Sequence, residues 1–238
     1  MDLNLPAGVA AVEEADVLGD GGVLDSDVYK GTVELAYLDA APSGAKRITI
    51  HFNTNGQVNK NTTYISNKNG GFTYKDKKTG DDMPLPGYSQ MNAFFMAVTG
   101  KGIGEQDTSE KMINIYDFSA KVDKPTEVTV FNDTLNKPIA IGIMKVSEEK
   151  TTADSGYTQG TGEFREYNEY AKYFDFTSGL TVAEKLAGTA SAVFMTKWRK
   201  KNQGGLKVKK AKIPGVATGA VAGAPTASPG APVSDPFA

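Results

Sequence analysis

The strongest constraint on the fold is a series of short segments in which apolar and polar side chains alternate, broken at close intervals by turn residues. Over residues 26–40, Tyr29, Gly31, Val33, Leu35 and Tyr37 fall on one side, against Lys30, Thr32 and Glu34 on the other. A period of two places alternate side chains on opposite faces of a half-buried strand. Pro42-Ser43-Gly44 reads as a turn. Ile48, Ile50 and Phe52 then alternate with Arg47, Thr49 and His51, which predicts a second strand and a hairpin. Residues 53–61 read as polar and turn-rich, 62–66 as a third short strand, 67–71 as a tight turn, and 72–75 as the strand returning from it.

A long stretch in the middle of the chain breaks this rhythm. Met91, Phe94, Phe95 and Val98 recur at helical spacing over 88–98, and Gly100 and Gly102 stop them. Strands are expected again at 113–118, 127–131 and 139–146, with Asp123-Lys124-Pro125 separating the first two and a polar loop over 147–162. Aromatic density favours a strand over 163–176. Helices follow at 181–186, where Thr181 and Glu184 have capping-box spacing, and at 190–201. The expected class is mainly β: an OB-fold-like Greek-key barrel with a few short helices.

Charge divides the chain further. Seven acidic and no basic residues lie between Asp2 and Asp27, whereas eight basic and no acidic residues lie between Lys197 and Lys212. The last 26 residues hold five Pro, four Gly and seven Ala. Such a composition buries too little to offset its ordering entropy. The expected organisation is an acidic lead-in over 1–25, a folded domain over 26–212 ending in a basic helix, and a disordered tail over 213–238.

Several chemistries are unfavoured. There is no cysteine, which removes disulfides and thiolate metal sites, and His51 is the single histidine. Gly100-Lys101-Gly102-Ile103-Gly104 lacks the upstream Gly and the following Ser or Thr of a phosphate loop. Asp81 and Asp82 are adjacent, and neighbours on an extended chain point apart, which argues against a metal-dependent nuclease. No apolar run approaches the ~20 residues of a membrane span. The expectation is a cytoplasmic protein that is not an enzyme and holds no metal or cofactor.

What remains is binding. Lys60, Lys68, Lys75, Lys77 and Lys78 are interleaved with Tyr64, Phe72 and Tyr74 over one predicted hairpin. Single strands are held where a basic groove follows the phosphates and ring faces stack the bases. Arg47 and His51 on the preceding strand, and Arg199, Lys200 and Lys201 on the C-terminal helix, complete the candidate contacts.

The order of these parts resembles phage-encoded single-stranded DNA-binding proteins: a strand-rich barrel, rings and lysines on a hairpin, then a Gly/Pro/Ala tail with an acidic-Pro-Phe tip at Ser234-Asp235-Pro236-Phe237-Ala238. The resemblance implies sequence-tolerant binding of single-stranded DNA in phage replication, recombination or repair, in the host cytoplasm. It also implies docking of replication or recombination proteins through Asp235, Pro236 and Phe237. The tip carries one acid and ends on Ala238, where the usual tip is strongly acidic and ends on Phe. A structural virion protein built as a β-sandwich, and a transcription cofactor holding a melted strand, are the competing readings.

Overall fold

A computed structural model describes residues 22–117, 120–154 and 157–211, without the side chains of 153–159. The acidic stretch before residue 22 and the tail beyond 211 lie outside the described residues. In chain order the elements are β1 (Asp27–Ala40), β2 (Lys46–Thr54), β3 (Gln57–Tyr64), β4 (Thr73–Lys75), β5 (Asp82–Pro84), α1 (Pro86–Thr99), β6 (Thr108–Asp117), β7 (Val122–Phe131), β8 (Lys137–Asp154), β9 (Tyr157–Phe174), α2 (Val182–Leu186), α3 (Val193–Asn202) and β10 (Leu206–Lys209). Two compact units divide the chain: Met1–Ser147 with Glu166–Val208, and Glu148–Arg165 with Lys209–Ala238. No described helix is long and apolar enough to cross a membrane.

The mainly β class holds. The large sheet runs β10-β8-β1-β2-β3, with β9 on β8 and the β6–β7 hairpin joined to β1 through β7. Among the described residues it is not closed into a barrel. Where closure would bring β3 and β9 together, side chains bridge them: the Asn61 amide donates to the Asn168 carbonyl at 3.2 Å, and the Tyr170 hydroxyl donates to the Asn59 carbonyl at 2.9 Å.

Glu34 is the most consequential position in β1. Val33 pairs with Phe52 and Leu35 with His51, so Glu34 is one residue too many: a β-bulge. An extra residue flips the faces after it. Tyr29 and Val33 therefore meet the main core, but Leu35 and Tyr37 turn to the opposite face and cluster with Val128 and Val130. The five residues Tyr29 to Tyr37 do not share the single face that their spacing predicts.

The main core joins Ile48, Ile50 and Phe52 of β2, Ile139, Ile141 and Ile143 of β8, Tyr170 and Tyr173 of β9, and one side of α1. Met91, Phe94 and Phe95 are the buried side of that helix. Pro86 opens α1 without costing an internal hydrogen bond, and Gly100 closes it in the left-handed region at φ 76°.

Four expectations are corrected. Residues 53–61 belong largely to β2 and β3. Asn55 and Gly56 both have positive φ, 53° and 79°, the demand of a two-residue hairpin turn. Residues 72–75 do not pair with 62–66. Asn67 closes its own loop by accepting the Asn69 and Gly71 amides, and β4 pairs instead with β5. Asp123-Lys124-Pro125 lies inside β7, with Pro125 opposite Asn114. The expected loop at 147–162 is mostly strand, the far parts of β8 and β9. Polar content hid these strands, because much of their surface is solvated and shows no apolar alternation.

Candidate nucleic-acid interface

Antiparallel partners share a face, so the registers of β1, β2 and β3 assemble three rungs on the side of the sheet away from α1. The first is Asp39–Arg47–Tyr64, the second Tyr37–Thr49–Thr62, the third Leu35–His51–Lys60. The second continues to Val130 of β7 and Ser109 of β6. The Thr49 and Thr62 hydroxyls meet at 2.9 Å.

Arg47 is gripped on this face. Its Nε lies 2.9 Å from Asp39 Oδ1 and its Nη2 2.7 Å from Oδ2, a two-point contact. The Asp39 carboxylate, and after it the Tyr64 phenol, hold the guanidinium charged more firmly than usual. Arg47 is therefore engaged first by Asp39, and Tyr64, next along the rung, is 53% exposed. His51 sits half-buried with its ring edge-on to Tyr37 at 5.8 Å. Burial, and then the neighbouring Lys60 charge, pull its pKa below the ordinary 6.5, while Glu34 works the other way. Lys60, next along the rung, is exposed.

The remaining predicted residues form separate groups. Phe72, 38% exposed, lies against Tyr88 with ring centres 5.4 Å apart, and the Lys46 ammonium stands 5.7 Å above its ring. Tyr74, 43% exposed, pairs with Met83 across β4–β5. Lys75 is drawn to Asp82 at 2.9 Å. Lys77 and Lys78 are exposed on the turn that Asp76 organises by accepting the Lys78 and Thr79 amides. Lys68 is exposed in the Asn67 loop. Among the described residues no group of acidic or histidine side chains is placed to hold a metal ion. In the Gly100–Gly104 loop the Glu105 carboxylate accepts the Gly102 amide, at the place a phosphate would need.

The C-terminal helix rests on the sheet through Trp198, with Lys200 and Lys201 outward. Trp198, 8% exposed, packs with Phe174 over Ala140 on the face of β8 away from the main core. A Cβ on Gly142 would approach the Trp198 ring to 3.1 Å, so the missing side chain makes room for the indole. Arg199 is committed to Asp27, with Nε–Oδ1 at 2.7 Å and Nη2–Oδ2 at 3.0 Å. That pair joins the helix to the start of β1, which accounts for Arg199 without a phosphate. Lys200 and Lys201 are exposed on the same helix. Asp235, Pro236 and Phe237 lie outside the described residues.

Sequence reasoning passed over Lys46, Thr62 and Tyr88, all at this end of the sheet. Asn55-Gly56 was the available signal. A two-residue turn there fixes the β2–β3 register, and that register puts Lys60 beside His51 and Tyr64 beside Arg47.

No protein-family model matches this chain, and no curated protein matches it in sequence. The geometry carries the functional argument alone.

Proposed function

We propose that this chain binds single-stranded DNA, without strong sequence preference, along the rungs of β1, β2 and β3. The observation that carries the reading is Tyr64. It is an exposed ring at the end of an ion-paired rung, two rungs from Lys60 and His51 on the same sheet face, which α1 does not cover. An exposed ring face can stack a nucleobase, a contact worth roughly 1–3 kcal/mol. Lys60, with Lys68, Lys77 and Lys78 on the adjoining loops, supplies cations for a backbone that every sequence shares. A role in phage replication, recombination or repair is the setting in which such tolerance is useful.

The test is anisotropy of a labelled oligo(dT) over a salt series. Binding that weakens with a log–log slope of about −0.7 per phosphate contact is expected. Absence of binding at low salt overturns the proposal. Trp198, the single tryptophan, is buried between α3 and the sheet and is a poor reporter; tyrosine emission is the intrinsic signal to follow.

A further inference from the structure

Two ring-and-cation platforms stand on opposite faces of the same strand end. Lys46 and Arg47 are consecutive in β2, so their side chains leave the sheet in opposite directions. Arg47 and Tyr64 are neighbours on the rung face, with Arg47 ion-paired to Asp39. Lys46 stands over Phe72, whose ring meets Tyr88 in the first turn of α1, and Tyr88 packs against the main core. The backbone joins the platforms rigidly: the Lys46 carbonyl accepts the Ile65 and Ser66 amides, and its own amide donates to the Ser66 hydroxyl at 2.8 Å.

We infer that Lys46, Phe72 and Tyr88 form a second nucleobase-stacking subsite, and that a bound single strand turns around the end of β2 and β3 to occupy both faces. This rests on the proposed single-strand binding. Phe72 already carries a cation over one part of its ring and keeps 38% of its surface exposed, the arrangement in which a base adds to a preformed stack. Charge complements the path, with Lys46 on the α1 side, Lys60 on the rung face and Lys68 in the loop that follows β3. The turn also imposes a selection. Unpaired nucleotides bend freely, whereas a duplex with a persistence length of ~150 base pairs does not fold around one pair of strands. Preference for single strands then comes from the shape of the path as well as from stacking.

Affinity is measured for oligo(dT) of increasing length, spanning roughly 4–16 nucleotides, with a duplex of equal length as competitor. In the wild-type chain affinity rises in two steps as one platform and then both are filled. Phe72→Ala is expected to abolish the second step, weakening long oligonucleotides by about 5- to 150-fold while short ones bind as before. Tyr64→Ala weakens all lengths. Lys46→Gln, which leaves both rings and the core intact, lowers the salt dependence of long oligonucleotides only. If wild-type protein binds oligo(dT) and Tyr64→Ala weakens it, yet Phe72→Ala and Lys46→Gln leave the length series and the duplex competition unchanged, the second subsite does not exist. If wild-type protein binds no oligo(dT), the functional proposal itself has failed.

Discussion

On the face away from the main core, β1 is sealed by α3 where it runs beside β8; where it runs beside β2 the same face buries Tyr37 and Thr49 and opens to solvent only at its β3 edge, at Lys60, Thr62 and Tyr64. At the first place, Val28 lies under α3 with Ala140, Phe174 and Trp198. At the second, beyond the bulge at Glu34, Asp39, Arg47 and Tyr64 and then His51 and Lys60 occupy the equivalent face. The sheet offers both regions the same backbone. The difference lies in what each can exclude from water. Gly142 leaves a hollow that an indole fills, while the β2–β3 rungs carry groups whose desolvation is costly without partners. A covered face contributes stability, and an uncovered one keeps its stacking and charge for a ligand.

Breaking the covered side should have the largest effect. Trp198→Ala removes the indole that fills the Gly142 hollow. It is expected to cost about 3–5 kcal/mol of folding stability, read by denaturant unfolding, with little change in oligo(dT) affinity where the protein remains folded. Tyr64→Ala is the mirror case. It should leave the unfolding midpoint nearly unchanged and cost roughly 1–3 kcal/mol of single-strand affinity. If the two variants exchange these effects, the two faces have been assigned the wrong way round.

Smaller effects sharpen the same contrast. Lys60→Ala should reduce the magnitude of the log–log salt slope by about 0.7, one phosphate contact. Arg199→Ala should leave that slope unchanged. It should lower stability by no more than about 1 kcal/mol, because its pair with Asp27 is partly solvated. A changed slope in Arg199→Ala would return α3 to the nucleic-acid surface.

His51 gives the smallest prediction. Its folded-state pKa is below the ordinary 6.5, so the folded chain binds fewer protons than the unfolded one near that pH. Its contribution to stability is present above about pH 6.5 and is lost as pH falls through the lowered folded value. A phosphate nearby favours the protonated ring, so oligo(dT) affinity should strengthen on acidification from pH 7 to pH 5.5. His51→Gln should flatten that affinity profile and remove its part of the pH-dependent stability loss.

Much of the local structure was legible. Apolar spacing and the closing glycine define α1, and the Thr181–Glu184 pair forms the reciprocal cap expected of it at the start of α2. Aromatic density over 163–176 marks the end of β9 correctly. Polar strands were not legible, because a solvated face carries no apolar period; the first part of β3, over 57–61, and the far part of β8 were missed for that reason. The candidate site was legible as a set of rings and lysines but not as a surface. Tyr64 and Phe72 are eight residues apart yet stand on different faces, since the intervening Asn67 loop closes on itself instead of forming a hairpin turn.

By itself the sequence determined the helices, the apolar strands and which side chains were available for binding, because backbone preference and apolar spacing act between near neighbours. Which face each strand buries was settled only in the folded molecule. One extra residue at Glu34 reverses Leu35 and Tyr37, and a missing side chain at Gly142 admits Trp198. Arg199 finds Asp27 from the far end of the chain. Those outcomes depend on contacts between residues distant in the chain, whose free energies have no trace in any local pattern.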